Sequence, residues 1–254
     1  MKPSDYSTIL FDEIEEYVAL ITFNRPDNLC SLSNEMEKEF SEALKFVAQE
    51  DRFRILIITG KGKAFSAGKD INSFPNNPAE IRKSMQTLKK PEMLSFEKPI
   101  ITAVNGDAIG KGADIVLMSD IIVASETVRF IFPGAKLGVV CPYAFIRLAD
   151  EIGRAKAKEV LMTADPLSAR EALALGLINK VVPKERLMDE ALQIARKISK
   201  ASPLSVRAIK ESINRNLGGF EYSYETMIDL MFTEDRVEGM KAFFEKREPR
   251  FLGK

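Results

Sequence analysis

Three runs of this chain are apolar at almost every position rather than at every second one. They are "FRILIIT" (Phe53–Thr59), "PIITAV" (Pro99–Val104) and "IIVA" (Ile121–Ala124). A strand with one wet face alternates, so a continuous run belongs to a strand covered on both faces, as in a parallel sheet. A further β-branched and aromatic run, "YVALITF" (Tyr17–Phe23), stops at the turn cluster "NRPDN". After it, Met36, Phe40, Leu44 and Val47 recur at helical spacing, with Ser33 or Asn34 placed to cap. Strands alternating with helices predict an α/β architecture with much parallel pairing.

The second half is punctuated differently. Ser168 and Glu171 in "SAREALALG" form a capping-box pattern, Gly176 is a natural helix terminator, and "LINKVVP" reads as a short strand. Beyond about Pro183 strand signals vanish. Helical patterns run through "LMDEALQIARKISK", "PLSVRAIKESINRNLGG" and "TEDRVEGMKAFFEKR", with Pro203 suited to a first turn and Gly218–Gly219 to a break. The expected division is an α/β core over residues 1–190 and a helical region over 191–254, in a 254-residue chain.

Composition excludes several chemistries. The chain has no histidine, which removes Ser–His–Asp and Cys–His nucleophilic machinery and His-containing metal sites. Acid–base work must fall to Asp, Glu, Lys, Tyr or Cys. Lys plus Arg and Asp plus Glu both number 37, so the balance gives no reason to expect nucleic acid or an acidic membrane as partner. Cys30 and Cys141 have no metal spacing and read as reduced thiols of a cytoplasmic protein. The N-terminus lacks an apolar signal-peptide core, and no run reaches the roughly 18 apolar residues of a membrane helix.

Two of the buried runs lead into glycine-bearing loops: "KAFSAGKDINSF" (Lys63–Phe74) and "NGDAIGKGADI" (Asn105–Ile115). A strand feeding such a loop and a helix start leaves backbone N–H groups pointing outward. Two loops aimed at one point can hold an oxygen that becomes negative during a reaction. By spacing alone, ordinary turns explain them equally well. A dinucleotide fingerprint does not fit, because "GKGADI" lacks the third glycine and sits mid-chain.

Taken in order, "ITFNRPDNLCSLSNEM", "KAFSAGKDI", "KPIITAVNGDAIGKGADIVLMSDIIVA", "AREALALGLINKVVP" and "EGMKAFFEKREPRF" resemble the enoyl-CoA hydratase/isomerase (crotonase) superfamily. The resemblance covers nearly the whole chain. It implies a crotonase-like spiral of repeated ββα units with a C-terminal helical trimerisation region, assembled as a trimer or a dimer of trimers. It also implies an acyl-CoA substrate, no cofactor beyond that coenzyme A, and a thioester oxygen held by two backbone N–H groups. Those donors fall on Lys69, after Gly68, and on Lys111, after Gly110; the family usually has glycine where Lys111 stands. Contacts to the substrate and its CoA fall on Arg25, Ala64, Ser66, Ala67, Asp70 and Ile71, and on Phe232 and Lys246 of the C-terminal region.

Hydratases of the family hold water between two glutamates. The first falls on Asp114, an acid one methylene shorter; the second falls on Gly134, so that carboxylate is absent. Hydration, isomerisation and decarboxylation therefore stay open. In a malonyl-type decarboxylase, the Lys69 side chain would orient the leaving carboxylate and Tyr143 would position or protonate; a CoA-thioester hydrolase on the same scaffold is a further alternative. A third reading is an acyl-CoA-binding protein that has lost its chemistry.

Overall fold

The computed structural model describes residues 6–73, 92–137, 142–214, 229 and 233–254. The chain opens with an antiparallel hairpin of β1 (Ile9–Glu15) and β2 (Val18–Phe23), followed by helix α1 (Asn34–Gln49). A pattern then repeats. A strand is followed by a second, shorter strand: β3 (Ile55–Gly60) with β4 (Ala64–Ser66), and β5 (Ile100–Val104) with β6 (Asp107–Ile109) and helix α2 (Lys111–Leu117). The next copy is β7 (Ile121–Ser125) with β8 (Arg129–Ile131) and the short helix α3 (Gly134–Leu137). Helices α4 (Pro142–Ile152) and α5 (Arg154–Thr163), strand β9 (Leu167–Ser168), helix α6 (Ala169–Ala174) and strand β10 (Lys180–Val182) follow.

The first strand of each repeat enters one sheet and the second strand enters another. The larger sheet has six strands in the order β1-β2-β3-β5-β7-β10, parallel from β2 onward. The smaller has four, β4-β6-β8-β9, with β4, β6 and β8 parallel. Asn105 joins consecutive repeats at the corner between the sheets. Its Oδ1 accepts from Gly60 N at 3.0 Å, and its Nδ2 donates to Ala64 O at 3.2 Å.

The continuous apolar runs have the expected cause. Leu56 and Ile58 of β3 face the main core with Phe23, Phe65 and Phe130, while Ile55 and Ile57 face the other side. That other side is covered by helix α7 (Leu187–Ser199) through Leu187, Ala191 and Ala195. This helix crosses position 190 and packs on the sheet. Beyond it, helix α8 (Pro203–Asn214) begins on Pro203 and ties to the core through Lys210, whose Nζ donates to Lys98 O and pairs with Asp120, both at 2.8 Å. Helix α9 (Glu234–Glu245) buries Asp235, which accepts from Leu252 N and Gly253 N of the C-terminal tail.

Local expectations about ends are met in detail. Ser33 caps α1 by accepting from Met36 N, and Ser168 with Glu171 forms the complete capping box of α6. Two features differ from the sequence reading. Each glycine loop contains a short strand of its own, β4 or β6, too brief to show periodicity. The first loop then enters a 3-10 turn, Ile71–Ser73, rather than an α-helix within the described residues. Phe232, Cys141 and the Gly218–Gly219 break lie outside the described residues. No helix among the described residues is long and apolar enough to cross a membrane.

Lys98 closes the far end of α1. It is 2% exposed and donates to Val47 O at 2.7 Å and Glu50 O at 2.8 Å, carbonyls the helix end leaves open. Burial, with Arg207 nearby, pushes its ammonium down to about 8. Between that value and the ordinary lysine range, the unfolded chain binds a proton that the folded one does not, so stability rises with pH. Wild type should therefore gain thermal stability relative to Lys98→Met between pH 8 and about 10, measured as the difference in Tm across a pH series.

Candidate functional site

The two glycine loops meet because β4 and β6 are neighbours in the smaller sheet. They also interlock. A Cβ on Gly68 would sit 2.6 Å from Ile109 O and 3.2 Å from Lys111 N; one on Gly112 would sit 2.6 Å from Ser66 O. Gly68 adopts φ +87° as well, so both the conformation and the space demand glycine. Each loop thus carries the glycine that lets the other approach.

This apposition brings Lys111 N close to Gly68, the residue before Lys69. Leu32 forms a parallel bridge with Lys69 by donating to Gly68 O and accepting from Asp70 N. In that pattern Lys69 turns its own N–H to the opposite side. Lys111 is the first residue of α2, where the N–H has no partner within the helix. The segment Leu29–Leu32 fastens the first loop from outside: Ala67 N donates to Leu29 O and Ser66 Oγ to Cys30 O. Ala67 therefore has its carbonyl, rather than its N–H, to offer a ligand.

Charged side chains surround the donors. Lys69 Nζ donates to Asn34 Oδ1 and pairs with Glu37, both at 2.8 Å, and Lys111 Nζ pairs with the same Glu37 at 2.5 Å. Arg25 Nη1 pairs with Asp70 at 2.9 Å and donates to Ser31 O at 2.6 Å. The hydrogen bond from Arg25 to Asp70, with another from Asn72 N, holds the Asp70 carboxyl below its usual range. Arg25 and Asp70 thus serve each other and the loop.

Asp114 sits in the first turn of α2 and is 8% exposed, on the helix that begins with Lys111. Helix α2 packs on α4, which carries Tyr143. Burial pushes the Tyr143 phenol up; Arg147 opposes the shift, and Asp120, Glu151 and Asp114 reinforce it. It remains a hydrogen-bond donor at neutral pH. Gly134 opens α3 behind β8, beside the second loop, since Gly110 N donates to Ile131 O at 2.8 Å. Where a second acid was sought, there is only backbone.

The sequence matches the enoyl-CoA hydratase/isomerase family over residues 13–254. The chain belongs to that family. It is 37% identical to a probable mitochondrial enoyl-CoA hydratase of Dictyostelium discoideum, over 93% of this chain and 88% of that one. It is 33% identical to 1,2-epoxyphenylacetyl-CoA isomerase of Escherichia coli, over 96% of this chain and 98% of that one. Among solved structures, an enoyl-CoA hydratase subunit from Geobacillus kaustophilus superposes with TM-score 0.92 at 35% identity, covering 98% of this chain and 100% of that one.

The family's fold brings together most of the residues singled out in the sequence. Ala64, Ser66, Ala67, Gly68, Lys69, Asp70 and Ile71 form one arm, Gly110, Lys111 and Asp114 the other, with Gly134 and Tyr143 behind. Lys246 is exposed in the turn after α9, with no ion pair among the described residues. Sequence reasoning missed Glu37, Asn34 and Asn105. A signal for Glu37 was available only in hindsight: it lies one turn inside a helix whose cap directly follows the segment fastened to the first loop.

The interlock makes a sharp prediction. Gly68→Ala should lower unfolding stability by about 2–4 kcal/mol, through strain and backbone overlap together. Gly176→Ala is the control, because Gly176 has a similar φ of +81° but nothing within 4 Å of its added Cβ. It should lose only about 1–2 kcal/mol. Urea denaturation of the two variants checks the difference.

Proposed function

We propose that this protein is an acyl-CoA enzyme of hydratase/isomerase type that works through an enolate. The observation that supports this reading is the interlock of two loops that brings Lys111 N close to Gly68, the residue before Lys69. In this reading the thioester oxygen accepts from both groups. A base removes a proton from the carbon beside the thioester carbonyl, and the electron pair moves onto that oxygen. Two preorganised donors stabilise the growing negative charge more than the neutral ground state, which is what lowers a barrier.

Asp114 is the base in this scheme. Its carboxylate takes the proton and can return it to another carbon, which shifts a double bond without a second acid. Tyr143, kept protonated, donates or positions. Hydration would need a second group to hold water, and Gly134 offers none. The reading asks for no cofactor beyond the CoA carried by the substrate. Decarboxylation finds less support, since the Lys69 ammonium needed to orient a leaving carboxylate is committed to Asn34 and Glu37.

Assembly is part of the proposal. Ile209 and Ile213 of α8 and Val237, Met240 and Phe244 of α9 are exposed, and further copies of this chain would cover them in a trimer or a dimer of trimers. Sedimentation should then give a mass at least three times that of one chain.

Two measurements test the chemistry. Crotonyl-CoA, a 3-enoyl-CoA and methylmalonyl-CoA, followed by mass spectrometry in D2O, separate hydration, isomerisation and loss of CO2. Deuterium should enter beside the thioester. Asp114→Asn should then slow exchange and turnover by about 10²-fold or more while KM changes little. Intact turnover in Asp114→Asn would remove the base assignment. CoA binding without exchange in the wild type would favour a protein that only binds acyl-CoA.

A further inference from the structure

Both proposed donors share a mechanical weakness. Each N–H belongs to a peptide group that follows a glycine, Gly68 at φ +87° and Gly110 at φ +51° and ψ −117°. A glycine has no side chain with which to anchor the plane of the next peptide, and its torsions are the softest in the chain. An oxyanion hole works only if its donors are already aimed when charge develops. Backbone bonds hold the carbonyl of each peptide, Gly68 O by Leu32 N at 2.7 Å and Gly110 O by Asp114 N at 3.0 Å; any further restraint acts through the residues that follow the glycines.

Those residues are lysines, and one carboxylate holds both. Glu37 Oε2 takes Lys69 Nζ at 2.8 Å, and Glu37 Oε1 takes Lys111 Nζ at 2.5 Å. Lys69 has a second partner at 2.8 Å, Asn34 Oδ1, one turn earlier on the same helix. The helix is a firm base: its N-terminus is capped by Ser33, its C-terminal carbonyls are held by Lys98, and its inner face buries Met36, Phe40 and Leu44. The side chains of Lys69, Lys111 and Glu37 are 21%, 47% and 28% exposed. Pairs so open to solvent add little to stability. What they provide is geometry: a tie between helix α1 and both loops.

We propose that Glu37 is a positioning residue, a strap that tightens the aim of both oxyanion donors, beyond what their backbone bonds provide, by gripping the side chains of Lys69 and Lys111. The inference rests on the oxyanion reading above. Aim and charge predict opposite outcomes when the acid is removed. Glu37→Gln leaves two unpaired ammonium groups beside a forming anion, so Coulomb attraction alone would strengthen enolate binding. Loss of aim would weaken it.

Acetoacetyl-CoA is the probe, because its enolate absorbs in the near ultraviolet and reports charge on the thioester side. Butyryl-CoA, which has no such stabilised enolate, reports ordinary binding. Glu37→Gln is expected to lower affinity for the acetoacetyl-CoA enolate by about tenfold. Its affinity for butyryl-CoA should change less than about twofold. Lys111→Met should behave similarly but more weakly, and the double variant should be no worse than Glu37→Gln, since that variant already breaks both ties. An enolate band that survives or strengthens in Glu37→Gln overturns the strap alone, as do additive losses in the double variant. Absence of any enolate band in the wild type overturns the oxyanion reading, and the strap with it.

Discussion

The contact between the Gly68 loop and the start of helix α2 governs the rest of the site. Backbone meets backbone there, at distances that a single methyl group would violate on either side. The smaller sheet brings the loops into register, and the absent side chains let them close. Rigid apposition of this kind is cheap to maintain. It uses packing and sheet hydrogen bonds already required by the fold.

Charge in the site is arranged in nested pairs. Arg25 is bound to Asp70 and the two lysines to Glu37, so most ionic groups near the loops face a protein partner. Lys111 stands where a glycine is usual in the family, and its side chain turns toward α1, to Glu37. Asp114 differs from these: it is buried behind the loops, on the helix that one donor begins.

Much of this was legible in the chain. Runs such as "FRILIIT" read as doubly covered strands because burial on both faces erases alternation, and α7 supplies the second cover. The caps at Ser33 and Ser168 were legible because capping is local chemistry. The short strands Ala64–Ser66 and Asp107–Ile109 were not, since three residues cannot display a period. Glu37 was hidden for another reason. It meets Lys111 across 74 positions, and a charged residue on a helix looks solvated until the fold shows what faces it. The glycine motifs marked the right place, but the side-chain ties around them belong to tertiary structure.

The repeating ββα pattern has one more consequence. Successive repeats deliver successive site positions: Lys69 follows β4, Lys111 and Asp114 follow β6, and Gly134 follows β8. The candidate positions are thus serial, with each turn of the spiral contributing its own at an equivalent station. The first two depend on each other through Gly68 and Gly112, and the third is not part of that interlock. The third station here is blank, and the first two remain intact around it. A spiral built this way can vary at one turn while the interlocked loops of the others keep their geometry.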